Sequence, residues 1–220
     1  MSEQQTMSFS DAFFVKSAAK LAQCPEEILR EVAFAGRSNA GKSSALNTLT
    51  NNKKLARTSK TPGRTQLINY FQLGQSPLAL VDLPGYGFAK VPVAMKNAWQ
   101  KELAGYLEKR EALCGLVLLM DIRHPLKEFD TAMLKWAADS KMPVHILLTK
   151  ADKLKRGPAQ STLLQVKKAT ARKDGQVSVQ VFSSLSGDGL PQLRQLLTSW
   201  LAPAETGTDV SEAPEGKETL

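Results

Sequence analysis

Apolar residues along this chain gather in short continuous runs, and the stretches between the runs carry apolar positions at helical spacing. Cys114–Asp121 and Val144–Thr149 are unbroken enough to read as strands covered on both faces. Glu31–Ala35 is a shorter apolar strand that ends at Gly36, and Val177–Phe182 is another strand. Gln66–Leu73 and Leu78–Asp82 pair as a hairpin across the turn residues Gly74–Pro77. Helical spacing marks Lys42–Leu49, Met95–Arg110, Glu128–Asp139, Ser161–Lys173 and Pro191–Leu201. In the second of these, Trp99, Leu103, Tyr106 and Leu107 share one face; in the last, Leu193, Leu196, Leu197 and Trp200 do. Strands alternating with helices predict a three-layer α/β fold. Its mostly parallel, six-stranded sheet carries helices on both faces, with the loops that follow the parallel strands along one edge. Phe13, Phe14 and Val15 fit either an added strand or the start of a helix. The expected organisation is an N-terminal extension over 1–25, a globular domain over 26–201, and a disordered acidic tail over 202–220. No internal repeat is visible.

Composition narrows the classes. The chain has 220 residues, 42% hydrophobic and 23% charged, which suits one domain with a full core and excludes disorder for its bulk. The formal net charge is +8. Residues 202–220 hold Glu205, Asp209, Glu212, Glu215 and Glu218 against Lys217, so removing that net −4 leaves +12 on residues 1–201. Such a surplus attracts polyanions, nucleic acid first and an anionic membrane second, although it also serves plain solubility. Cys24 and Cys114 make neither a disulfide framework nor a metal cluster, and Cys114, opening an apolar run, reads as a buried thiol. His124 and His145 stand apart from other ligating residues. A reducing cytoplasm fits the cysteines, and no run is long enough to span a bilayer. The expectation is a soluble cytoplasmic protein with no membrane partner.

The chemistry is concentrated in loops after strands. Gly36-Arg37-Ser38-Asn39-Ala40-Gly41-Lys42-Ser43 matches G-x-x-x-x-G-K-[ST] and lies between a strand and a helix. Its glycines let backbone amides wrap phosphates, and the helix adds its positive end. Lys42 supplies a point charge for the β- and γ-phosphates, and Ser43 a hydroxyl for Mg²⁺. Asp82-Leu83-Pro84-Gly85 ends a strand: Asp82 can hold Mg²⁺ through a water, and the Gly85 amide can approach the γ-phosphate. In Thr149-Lys150-Ala151-Asp152 the carboxylate can accept guanine N1–H and the 2-amino group together, a donor pair that adenine lacks. The stem of Lys150 can lie along the base. Phe182-Ser183-Ser184 follows the last strand, where a backbone amide could meet guanine O6. Within Thr61-Pro62-Gly63-Arg64-Thr65, a threonine can reach Mg²⁺ and the γ-phosphate; Thr65 is preferred and Thr61 is the alternative.

These motifs, in this order, resemble the translation-factor-related class of P-loop GTPases. The stretches GRSNAGKSS, KTPGRTQLINYF, LVDLPGYGFA, LLTKADKL and VFSSLSGDGL are similar, from about Glu31 to Leu201, to the EngB family of bacterial ribosome-biogenesis GTP-binding proteins. The resemblance implies a monomeric Ras-like domain that binds GTP and GDP. It also implies a role in assembling the large ribosomal subunit or its precursor on rRNA, and in normal cell division and septation. Carried over, Gly36–Ser43 bind phosphate with Ser43 on Mg²⁺, and Gly63, Arg64, Thr65, Gln66 and Leu67 form switch I with Thr65 on Mg²⁺. Asp82–Gly85 form switch II, Thr149–Asp152 recognise guanine, and Phe182–Ser184 close over the base. Lys42, Thr65 and Gly85 are the residues that would meet the reacting phosphate. Thr149 stands where most GTPases have Asn, and the family's own pattern has Thr there.

Tyr86 follows Gly85, where many GTPases carry a water-orienting Gln. Unassisted turnover on the order of 10⁻⁴ to 10⁻³ per second is therefore expected, with a partner completing the site. The alternative is an RNA-binding assembly protein that holds GTP without significant hydrolysis. A P-loop kinase or ATPase is opposed by Asp152. Asn39 has two readings: it caps the loop, or it holds K⁺, as in related GTPases with Asn at this position. Basic residues flank switch I (Lys53, Lys54, Arg57, Lys60, Arg64) and mark the Ser161–Lys173 helix (Lys167, Lys168, Arg172, Lys173) as candidate rRNA contacts.

Overall fold

The computed structural model describes residues 7–56, 67–85, 102–171 and 176–203. Among the described residues, seven strands form one sheet: β1 (Ala12–Ala18), β2 (Arg30–Gly36), β3 (Ile68–Leu73), β4 (Leu78–Asp82), β5 (Leu113–Asp121), β6 (Val144–Thr149) and β7 (Val177–Val181). Their order is β1-β3-β4-β2-β5-β6-β7. Strands β4, β2, β5, β6 and β7 run parallel, and β3 is antiparallel to both β4 and β1. Helices α1 (Lys42–Leu49), α3 (Glu128–Asp139), α4 (Arg156–Thr170) and α5 (Leu190–Leu201) are joined by α2, described over 102–109.

Alternation along the central strands sets the layers. Ala33, Ala35, Leu116, Leu118 and Met120 face α2, α3 and α4, meeting Tyr106, Met133 and Val166. Val32, Phe34, Val117 and Leu119 face α1 and α5, meeting Leu46, Leu193 and Leu197. A run apolar at every position is what a strand sandwiched between two helix layers requires. The chain leaves β2 toward β3 and β4 on one side and later places β5 on the other. The loop after β2 therefore opens at the point where the strand order reverses, the usual ligand crevice of an open α/β sheet.

Three expectations are corrected. The sheet has seven strands rather than six, because the Phe13–Val15 segment joins it as edge strand β1, with a bulge between Phe14 and Lys16. Helix α4 starts at Arg156, not Ser161. Pro158 falls in its first turn, where backbone amides have no intrahelical partner to lose. Cys114 is only half-buried, and Cys24 is the buried thiol. Trp99, the tail beyond 203, and Arg172 and Lys173 lie outside the described residues.

His145 sits second in β6, 4% exposed, with Nδ1 2.8 Å from Ser178 Oγ. Burial pushes its pKa down to about 4. The unfolded imidazole titrates near 6.5, so between those values the unfolded chain takes up a proton that the folded chain refuses. Stability is thus complete above about pH 6.5 and falls as the pH drops toward 4, by about 3 kcal/mol in total. Urea midpoints at pH 7.5 and 5.0 check this: His145→Gln should lose distinctly less stability between the two than the unaltered protein.

Candidate nucleotide site

The phosphate-loop sequence occupies the turn from β2 into α1. Gly36 is the last residue of β2, and a Cβ there would come within 3.0 Å of the Leu119 carbonyl. Gly41 takes φ 92 and serves as N-cap of α1 without a capping side chain. Its left-handed turn aims the first amides of α1 outward, an arrangement suited to an anion. Arg37 and Asn39 are exposed, Ser38 and Ser43 are half-buried, and Ala40 is buried in the α1 side of the core.

Two other strand ends converge on this loop. Asp82 closes β4, and its Oδ1 accepts a hydrogen bond from Lys42 Nζ. Leu83 is buried and its amide donates to the Phe34 carbonyl (3.0 Å), which steers Pro84 and Gly85 past the loop. A Cβ on Gly85 would lie 3.5 Å from Ser38 Cα, so this backbone runs directly beside the loop. Thr149 closes β6; its buried hydroxyl lies 2.6 Å from the Ala40 carbonyl and 3.1 Å from that of Met120. The next residue, Lys150, donates from Nζ to the Asn39 carbonyl at 2.7 Å.

Asp152 is exposed beside β7. The Ser183 hydroxyl donates to its Oδ1 at 2.7 Å, and Lys153 lies 3.4 Å from Oδ2. The Ser183 hydrogen bond, foremost, holds the Asp152 carboxyl below the usual range, keeping it an acceptor at neutral pH. Phe182 is fully buried among the α1- and α5-facing residues, so its ring belongs to the core, and its carbonyl accepts from the Ala151 amide at 3.1 Å. Ser184 is half-buried and Leu67 exposed. The structure thus brings together Gly36–Ser43, Asp82–Gly85, Thr149–Asp152 and Phe182–Ser184. Thr61, Gly63, Arg64, Thr65, Gln66 and Tyr86 lie outside the described residues.

Asp82 and Ser43 offer hard oxygen donors at the phosphate loop, which fits Mg²⁺. No group of three His, Cys, Asp or Glu able to hold a metal occurs among the described residues.

Sequence reasoning missed Asp121 and Arg123, which follow the apolar run of β5. With Arg37, Ser38, Asn39 and Lys150 they line a cleft of about 280 Å³ beside the loop. No local pattern marks them, since Asp121 reaches Lys150 (Nζ to Oδ2, 3.0 Å) only through the pairing of β5 with β6.

Residues 31–150 match the family described as 50S ribosome-binding GTPase. The chain is 57% identical over 213 residues to a protein of Vibrio parahaemolyticus described as "Probable GTP-binding protein EngB", covering 96% of this chain and 97% of that one. An Aeromonas hydrophila protein of the same description is 56% identical over 96% of this chain and 98% of its own. Among solved structures, the crystal structure of a probable GTP-binding protein engB matches with a TM-score of 0.64 at 22% identity, over 78% of this chain and 98% of that chain.

Proposed function

The chain belongs to the EngB family of GTP-binding proteins and carries its GTPase domain, and from that premise we propose that it is a slowly hydrolysing GTP switch in assembly of the large ribosomal subunit. On this reading it serves normal cell division and septation from the cytoplasm, as a monomer. The observation that carries the reading is the joining of two loops. Thr149 and Lys150, from the Thr-Lys-Ala-Asp segment, grip the Ala40 and Asn39 carbonyls of the phosphate loop, and Asp152 stands ionised two residues on. One ligand would have to be a phosphate chain at one end and a purine with two adjacent donors at the other.

In this proposal the amides of Gly36–Ser43 and the Lys42 ammonium hold the phosphates. Ser43, Thr65 and, through water, Asp82 hold Mg²⁺, which neutralises phosphate charge when bound. Lys42 leaves Asp82 for the phosphate when nucleotide enters, since its Nζ is paired to that carboxylate. Gly85, whose backbone runs beside Ser38, brings an amide to the γ-phosphate. Thr149–Asp152 and Phe182–Ser184 hold the base; Phe182 contributes backbone only, because its ring is buried. Lys53, Lys54, Lys167 and Lys168, described and lying toward solvent, are the candidate rRNA contacts. None of the described helices is long and apolar enough to cross a membrane.

Calorimetry with GDP, GTP and ATP in Mg²⁺ tests the reading. Heat with both guanine nucleotides and none with ATP is expected. Equal binding of ATP, or no heat with either guanine nucleotide, overturns it. Co-sedimentation with large ribosomal subunits in each nucleotide state then tests the assembly role.

A further inference from the structure

We infer that Asp121 is a positioning residue of the nucleotide site: its carboxylate holds the Lys150 ammonium against the Asn39 carbonyl and so slows nucleotide release. The inference rests on the guanine-nucleotide reading above and adds to it a residue outside every motif.

Lys150 is held in a costly conformation. Its φ of 59 lies in the left-handed region, which residues bearing a Cβ avoid and which persists where surroundings impose it. The neighbouring backbone is pinned by the Thr149 carbonyl to the Ile122 amide and by the Ala151 amide to the Phe182 carbonyl, and at the other end of the side chain Nζ meets the Asn39 carbonyl at 2.7 Å and Asp121 Oδ2 at 3.0 Å. Asn39 is itself left-handed, at φ 66. The tether therefore joins two strained turns, one in the phosphate loop and one just before Asp152.

Asp121 is built for this task. It is the last residue of β5, in register with Thr149, so its side chain adjoins Lys150. Its carboxylate is oriented by Arg123, which donates from the backbone amide (3.1 Å) and Nε (2.9 Å) to Oδ1 and from Nη2 (2.7 Å) to Oδ2. Arg123 first, with Lys150 adding to it, keeps the carboxyl well below the usual carboxylate range, so it stays anionic throughout the neutral region. The β5–β6 ladder does not depend on this charge, because the Ile122 amide bonds the Thr149 carbonyl at 3.0 Å. Removing the charge thus loosens the tether and leaves the strands joined. Lys150 without Asp121 keeps one anchor of two, and its turn, the phosphate loop and Asp152 are freer to open.

The test is stopped-flow displacement of a fluorescent N-methylanthraniloyl-GDP by excess GDP in Mg²⁺, on Asp121→Asn, Lys150→Met and the double variant. Asp121→Asn is expected to release nucleotide about tenfold faster, the scale of one charge-assisted hydrogen bond. It should keep the preference for GDP over ADP, which Asp152 sets. Lys150→Met should also release faster, and the double variant no faster than Lys150→Met alone, because both changes remove the same tether. A release rate unchanged by Asp121→Asn overturns the assignment. So does a full additional acceleration in the Lys150→Met background, the mark of a merely structural role. If the unaltered protein binds no GDP, the nucleotide reading itself falls and the assignment falls with it.

Discussion

Asp152→Asn is expected to lower affinity for GDP and GTP at least about a hundredfold and to make xanthine nucleotides the better ligands. The carboxylate has two acceptor oxygens, and guanine presents two adjacent donors, N1–H and the 2-amino group. Ser183 donates to Oδ1 at 2.7 Å, which fixes the carboxylate's rotation and leaves further lone pairs on both oxygens for a base. An asparagine keeps one acceptor at nearly the same place, and the Ser183 hydroxyl would still select it. Its other atom becomes an NH₂ group that points a donor at a donor. A site made to hydrogen-bond a polar group discriminates against the wrong partner by large factors, because the mismatched groups lose water and gain nothing. Xanthine carries a carbonyl oxygen at C2 in place of the amino group, so the same NH₂ finds an acceptor there while N1–H still finds Oδ1. Competition of GDP, XDP and ADP for a fluorescent nucleotide measures the order. An Asp152→Asn protein that binds GDP within threefold of the unaltered protein would remove Asp152 from base recognition. Because Asp152 is exposed and outside the core, the melting temperature should scarcely move.

What was legible in the sequence was contiguous. Helix α1 and strands β4 and β6 fall on the residues that their patterns predicted, because a strand buried on both faces declares itself by apolarity alone and Gly41 punctuates the start of α1. The phosphate loop and the Thr-Lys-Ala-Asp segment were likewise readable as strings. Strand β1 was readable only as one of two alternatives, for a physical reason. It lies at the sheet edge, and its bulge between Phe14 and Lys16 breaks the two-residue period, leaving Phe13 and Phe14 at 44% and 52% exposure. A strand with two neighbouring apolar residues exposed has no periodic signature. Contacts made through the fold were equally silent. Asp121 meets Lys150 only once β5 and β6 lie side by side, and the braces on the Asn39 and Ala40 carbonyls span more than a hundred residues. Glu31 is the clearest case. It interrupts no pattern, yet it is a charge at 0% exposure whose partner lies 79 residues away.

That partner gives the largest expected effect on stability: Arg110→Ala should cost about 3–5 kcal/mol. Arg110 donates to Glu31 Oε2 from Nε at 3.0 Å and from Nη2 at 2.8 Å, and Nη2 also lies 2.8 Å from the Pro25 carbonyl. Its guanidinium sits 5.9 Å from the centre of the Tyr70 ring. The other carboxylate oxygen, Oε1, accepts from Tyr106 at 2.6 Å and Tyr70 at 3.4 Å. Burial, with the Glu31 charge beside them, raises both phenols far above their ordinary pKa, so they remain donors at any ordinary pH. Removing the arginine leaves a carboxylate inside the core with two phenols and no counter-charge, whereas removing both charges leaves no ion to compensate. Glu31→Leu combined with Arg110→Met should therefore be less destabilising than Arg110→Ala alone, although it deletes more native hydrogen bonds. The cluster stands at the beginning of β2, and the phosphate loop departs from its end at Gly36. At temperatures where the variants are folded, GDP affinity should thus match that of the unaltered protein while the urea midpoint falls sharply. Against the 5–15 kcal/mol that a domain usually has, the single change would take about a fifth or more. A paired substitution as costly as Arg110→Ala would show that packing around the guanidinium, and not the isolated charge of Glu31, sets the loss.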